Sequence, residues 1–263
     1  MKFYIAVDCE GPACVVGEPG KGLGSGENSR FACLQATREA NAAARALFDA
    51  GAQEVVVWDA HGTGVNLQYD LLDPRCRILL GSGHRGRFAG MDKSYTAVLF
   101  IGYHARENTS RAVLAHTFCS TAFQYYKLDG KEAGELAIDA AYAGELGVPV
   151  LFCAGDDACV AEARALFPGL AAVVTKEALS WTSALSRHPQ AVCDDIYRTV
   201  RAAVPGAGTL VPYRMPGPLS VEIRYKRMED AARAALTDRN GHPFAQPDPF
   251  TRSGVVDGVS ALF

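Results

Sequence analysis

The chain has 263 residues, of which 49% are hydrophobic and 21% charged, and a formal net charge of -3 at pH 7. That balance belongs to an ordinary globular protein and excludes a disordered or fibrous one, while the lack of a basic excess or basic run argues against nucleic acid as a partner. The first apolar run is too short to cross a bilayer and lacks the basic flank and cleavage site of a signal peptide, so no membrane association is expected and the expected location is cytoplasmic.

Residues 3–7, "FYIAV", read as a strand buried on both faces, the type found in parallel sheets. Gly11 and Pro12 end it, and strand alternation would point Asp8 and Glu10 the same way, with Cys9 opposite. After the glycine-rich stretch 17–26, residues 29–50 have helical spacing, with Gly51 as a C-terminal stop. "QEVVVWDAHG" is the next strand, which completes a β-α-β unit.

Further strands are predicted in "CRILLG", "TAVLFIGYHA", "AVLAHTF", "VPVLFCAGDD" and "AAVVTKE", and helices in "AGELAIDAAYAGELG", "DACVAEARALF" and residues 191–203. "YYKLDGKEAG" reads as a hairpin, because Asp129-Gly130 suits a primed turn. "GPLSVEIRYK" predicts one late strand, and residues 242–249 a Pro-rich loop or extended tail. The alternation implies an α/β protein, three-layer α/β/α with a mostly parallel sheet. The expected organisation is a single domain, 1–263, with its main core at about 1–176 and a smaller C-terminal α+β extension at about 177–263.

In such sheets ligands bind beyond the carboxyl ends of the strands, and the chemistry-bearing residues cluster there. Asp8 and Glu10 follow the first strand, His61 the second, and His104 a later one; Glu135 opens a helix, and His116 lies in "VLAHTF". Imidazoles mixed with carboxylates suit zinc or a similar transition metal better than calcium or magnesium. Five ligands exceed the three of one open catalytic zinc, so a metal pair with Asp8 as candidate bridge fits the count better. Taken singly, each residue also has a plain structural reading: a solvated turn for Asp8 and Glu10, a helix N-terminal charge for Glu135, a core histidine for His116.

Other features carry less. The glycine-rich stretch matches neither G-x-G-x-x-G nor the P-loop pattern, Asp156 and Asp157 suit a helix N-cap, and there is no G-x-S-x-G elbow. Eight cysteines with no CxxC pair read as free thiols, most of them in the core.

"YIAVDCEG", "REANAAARALFDAGAQEVVVWDAHG", "LFIGYHARENT", "VLAHTF", "GELAIDAAYAGELGVPVLFCAGDD" and "VTKEA" resemble, in order and spacing, the bacterial zinc-dependent D-aminopeptidase family associated with dipeptide-transport operons. The likeness runs from Met1 to about Lys176, with "PLSVEIRY" beyond it. It implies a dinuclear metallo-aminopeptidase with two Zn2+ per chain, acting on short peptides with D-residues, and a homo-oligomer that is a decamer of two stacked pentamers. Carried over by motif, Asp8 would be shared by both metals, Glu10 and His61 would hold one, His104 and Glu135 the other, and His116 would be catalytic. The glycine-rich stretch and Thr117, where the family has Ser, depart from its pattern. Two other classes remain from the residues alone: a dinuclear phosphoesterase, with Arg85 or Arg106 facing a phosphate, and a non-catalytic peptide-binding protein.

Overall fold

The computed structural model describes residues 1–24 and 26–263, so Ser25 of the glycine-rich stretch lies outside the described residues. Six parallel strands form the central sheet: β1 (Lys2–Val7), β2 (Glu54–Asp59), β3 (Arg77–Leu79), β4 (Ala97–Tyr103), and, after a β5–β6 hairpin (Phe123–Leu128, Lys131–Ala133), β7 (Val150–Gly155) and β8 (Ala171–Val174). Their order is β3-β2-β1-β4-β7-β8. The order reverses direction between β1 and β4, where an open parallel sheet leaves a crevice at the strand ends.

The alternation of β1 explains the layers. Phe3, Ile5 and Val7 face the cluster built with helices α1 (Glu27–Asp49) and α4 (Pro189–Ala203), whereas Tyr4 and Ala6 face α2 (Glu135–Glu145) and α3 (Asp157–Leu166). All five are fully buried, and each of the larger ones contributes on the order of 1.5–3 kcal/mol of hydrophobic stabilisation. Helices on both faces of a mostly parallel sheet are the α/β architecture that the strand and helix patterns predict.

A second, fully antiparallel sheet covers the outer side of α2, in the order β12-β13-β11-β5-β6, with β11 (Leu219–Tyr225), β12 (Ala245–Asp248) and β13 (Thr251–Val256). Ile138 and Ala141 of α2 pack into it with Leu128, Val221 and Ile223. Residues beyond 218 thus complete a sheet begun at 123–133. The hairpin turn is as expected: Asp129 and Gly130 both have positive φ, 49° and 75°, as a primed turn requires. The single late strand of the sequence pattern is in fact three, with β12 inside the expected Pro-rich loop of residues 242–249 and a short helix α5 (Met228–Arg233) between β11 and β12; a separate small hairpin of β9 (Lys176–Ser180) and β10 (Ser183–Ser186) precedes them.

Two expectations need correction. The segment "AVLAHTF" is not a strand but an irregular loop, with positive φ at Leu114 and Phe118, and at Arg111 just before it, that no strand tolerates. And β1 stops at Val7, so Asp8 and Glu10 lie in the turn after it, and their common direction is set by that turn instead of by the pleat. The turn fits because Gly11 and Gly102 have no side chain: a Cβ on Gly11 would lie 2.0 Å from the Tyr103 carbonyl oxygen, and one on Gly102 2.2 Å from that of Asp8. Among the described residues no helix is long and apolar enough to cross a membrane.

Candidate metal centre

The ends of β1, β2 and β4 and the first turn of α2 converge at the reversal point of the sheet. Asp8 is the hub. Its Oδ1 lies 2.9 Å from His61 Nδ1 and its Oδ2 3.4 Å from His104 Nε2. Glu10 Oε2 approaches the same His61 nitrogen at 3.2 Å, and Glu135 Oε1 lies 3.2 Å from His104 Nε2. The structure therefore brings all five sequence-predicted ligands, Asp8, Glu10, His61, His104 and Glu135, into one site. Asp8, Glu10 and His104 are buried, and His61, with its side chain 27% exposed, forms the mouth.

His116 joins the cluster as well. Its ring stacks on that of His104, with centroids 4.1 Å apart and planes 9° from parallel, and its Nε2 lies 3.8 Å from Glu135 Oε1. Ligand atoms of His104, His116 and Glu135 are all within 4.8 Å of one another, as are those of Asp8, Glu10 and His104. Geometry alone does not separate His116 from the ligand set. The separation expected from the sequence rests on its motif.

The donor chemistry fits a transition-metal ion. The His104 Nδ1 proton is directed to the Ala105 carbonyl at 2.9 Å, which leaves Nε2 facing two carboxylates. Among the described residues neither that nitrogen nor Glu10 Oε2, both buried, makes a well-aligned hydrogen bond, although an imidazole or carboxylate stands 3.2 Å from each. Buried polar atoms without partners are costly, and both point where a cation would satisfy them. Burial by itself would push both imidazoles down. For His61 the charge of Glu10 and the contacts with Asp8 and Glu10 outweigh it and raise the value to about 12; for His104 Glu135, Asp8 and Glu10 raise it to about 10. Burial would likewise raise Glu10, but the neighbouring histidines, His61 foremost, hold it well below the usual carboxylate range. Without metal, protons take the cation's place.

Asp8, His61, His104 and Glu135 are braced from behind. Phe118 N–H donates to Glu135 Oε1 at 2.7 Å, and Cys9 N–H to Asp8 Oδ1 at 2.9 Å. Behind His61, buried Asp59 accepts from the backbone of Asn66 and Leu67 and from Tyr69, while the Asn66 amide donates to the His61 carbonyl at 2.6 Å. Behind Glu135, one turn along α2, Asp139 accepts from Tyr103 Oη at 2.6 Å and pairs with Arg87, whose guanidinium also lies 4.8 Å from the Trp58 ring. Tyr103 is the residue before His104, so this network joins the two elements that carry His104 and Glu135. Sequence reasoning missed Asp59, Asp139 and the buried Lys176, because a single charged residue beside a strand or on a helix reads as solvated. It placed Asp156 correctly at the N-cap of α3, where it accepts from Cys159 N. Arg106, the candidate phosphate ligand, is bound to Thr109 at 2.9 Å and faces Glu132 and Glu162.

The chain has relatives among known proteins. The profile of the Peptidase_M55 family, described as D-aminopeptidase, matches residues 1–241. A D-aminopeptidase of Bacillus subtilis (strain 168) is 32% identical over 181 residues, 68% of this chain and 65% of the relative, so the match spans a little under two thirds of that relative's length. The solved structure of the Zn-dependent D-aminopeptidase DppA from Bacillus subtilis, a self-compartmentalizing protease, superposes with a TM-score of 0.88 at 26% identity, covering 99% of this chain and 93% of that one. With a family match across most of its length and the same fold from end to end, the chain belongs to the Peptidase_M55 family of D-aminopeptidases.

Proposed function

We propose that this chain is a zinc-dependent aminopeptidase that removes N-terminal D-residues from short peptides, with two metal ions per chain. In this reading Asp8 serves both ions, Glu10 and His61 hold one, and His104 and Glu135 the other. The observation that carries it is a pair of buried atoms without a well-aligned hydrogen bond, Glu10 Oε2 and His104 Nε2, on residues whose ligand atoms gather with that of Asp8 within 4.8 Å. Bound zinc supplies a Lewis acid for the scissile carbonyl and makes nearby water acidic enough to react at neutral pH.

The chain's own residues do the rest. The three carboxylates would be spent on the two ions, so a free peptide N-terminus would be recognised through its neutral amine, which one ion could hold and which an acetylated N-terminus cannot offer. His116 directs Nδ1–H to the Leu114 carbonyl at 2.7 Å, so Nε2 carries the lone pair on the side of the cluster and can take a proton and return it to the leaving amine. The buried walls around Asp8 and Glu10 keep bulk water from weakening these interactions. All eight cysteines are free, which suits the reducing cytoplasm, and likeness to a self-compartmentalizing relative supports a homo-oligomer, proposed as the decamer of two pentamers.

The test is metal analysis of the purified protein beside a panel of D- and L-aminoacyl di- and tripeptides, each free and N-acetylated. The expected result is release of the N-terminal residue from free D-peptides only, with zinc in the active protein. Equal turnover of blocked and free peptides, or full activity without metal, refutes the reading.

A further inference from the structure

Lys176 has no place in the mechanism above, and its side chain is wholly buried. An ammonium removed from water costs several kcal/mol unless its hydrogen bonds are made good. Here two of its three donors go to main-chain carbonyls in the turn after β1: Glu10 O at 2.6 Å and Pro12 O at 2.8 Å. Among the described residues it makes no salt bridge within 4.0 Å, and the acids that face it, Asp156, Glu39 and Glu10, act at longer range. A lysine placed only to neutralise those acids would reach for a carboxylate. This one reaches for the backbone of a metal ligand.

The rest of the turn is held in the same manner. Thr175 Oγ1 donates to Gly11 O at 2.6 Å, Gly11 N–H donates to Gly102 O at 2.7 Å, and Glu39 Oε1 accepts from Ala13 N–H at 2.9 Å. Among the described residues, however, only the lysine bonds to the main chain of Glu10, and only it spans two carbonyls of the turn. With the main chain so fixed, Glu10 Oε2 stands 3.2 Å from His61 Nδ1, without a well-aligned hydrogen bond of its own.

We propose that Lys176 is a positioning residue of the metal centre, whose clamp on the Glu10 and Pro12 carbonyls sets the turn that presents Glu10 to the ion it shares with His61. This rests on the metal-centre reading above. Outer partners of metal ligands that orient them change metal affinity by about 10–100-fold when removed, and a ligand carried on a turn without a pleat to aim it depends most on such support.

The experiment is zinc titration of chelator-stripped Lys176→Met against a chromophoric competitor, alone and in a His61→Ala background, with wild type in parallel. The clamp predicts that one ion per chain weakens about 10–100-fold in Lys176→Met while the other keeps its affinity. In the His61→Ala background, where that ion's site is already broken, the lysine substitution should change the remaining ion's affinity little. Lys176→Gln, whose shorter amide cannot span both carbonyls, should act in the same direction and serves if the Met variant is not recovered folded. Wild-type affinity for both ions in either folded variant, even with a lowered melting temperature, overturns the proposal. So does equal weakening of both ions, or a chain that folds with neither variant, since each marks a lysine of general structural use. A wild-type protein that takes up no zinc refutes the metal reading instead, which separates the two failures.

Discussion

Zinc binding to the metal-free protein should release protons, and the site says about how many. Burial opposes charge on His61 and His104, but the facing carboxylates prevail and hold them at about 12 and about 10, so both are imidazolium near neutral pH. Glu10 and Glu135, both held below their ordinary values by the histidines against the effect of burial, are already ionised. Each zinc ligand must be deprotonated, so loading the site evicts about two protons per chain, and affinity should fall roughly 100-fold for each unit by which pH is lowered through the neutral range. Calorimetry of zinc binding in buffers of different ionisation enthalpy gives the proton number as a slope, and His61→Ala should release about one fewer. The sign for stability follows from the same shifts. Both histidines are raised, so in metal-free protein their stabilising contribution is complete below the unfolded value of about 6.5. It is lost as pH climbs through about 10 for His104 and about 12 for His61. A slope near zero at neutral pH would refute the reasoning, because it would mean that the carboxylates do not hold the histidines charged.

His116→Ala should keep both metals and a near-normal melting temperature while losing about 10²–10⁴-fold in kcat, which metal content, unfolding and turnover measured on one preparation would check; a destabilised variant with normal kcat would return His116 to a structural role. Asp139→Ala leaves the Arg87 guanidinium, 14% exposed, without its partner and frees the Tyr103 hydroxyl. That should destabilise the fold by about 3–5 kcal/mol, or roughly 10 °C in melting temperature, and replacing Arg87 and Asp139 together by apolar residues of similar size should recover much of the loss on the same thermal scan.

What could be read from the sequence follows from how each element is buried. β1, β2, β4 and β7 are covered on both faces and so appear as unbroken apolar runs. β12 could not be seen, being four mostly exposed residues that include a proline, paired only through their neighbour β13. "AVLAHTF" misled because Ala112, Val113, Leu114 and Ala115 are buried by surroundings and not by periodic pairing, and a short apolar run does not reveal its backbone. The candidate ligands were legible because each stands just past a strand or at a helix start. Lys176, Asp139 and Asp59 were not, since what distinguishes them from surface charges is the depth at which they lie.

The shared antiparallel sheet also orders the events of biosynthesis. The hairpin that precedes Glu135 finds its neighbour β11 only about ninety residues later in the chain, in register Val221 with Leu128 through Ile223 with Tyr126, and contacts so distant in sequence close late. As the chain leaves the ribosome from its N-terminus, Asp8, Glu10, His61 and His104 are made long before the sheet that backs α2 can be finished. The helix bearing Glu135 is seated fully only when that sheet is in place, so a growing polypeptide carries an incomplete centre. On the proposed reading, a chain that ends before β11 lacks the sheet that backs the helix of Glu135, and should show no peptide hydrolysis.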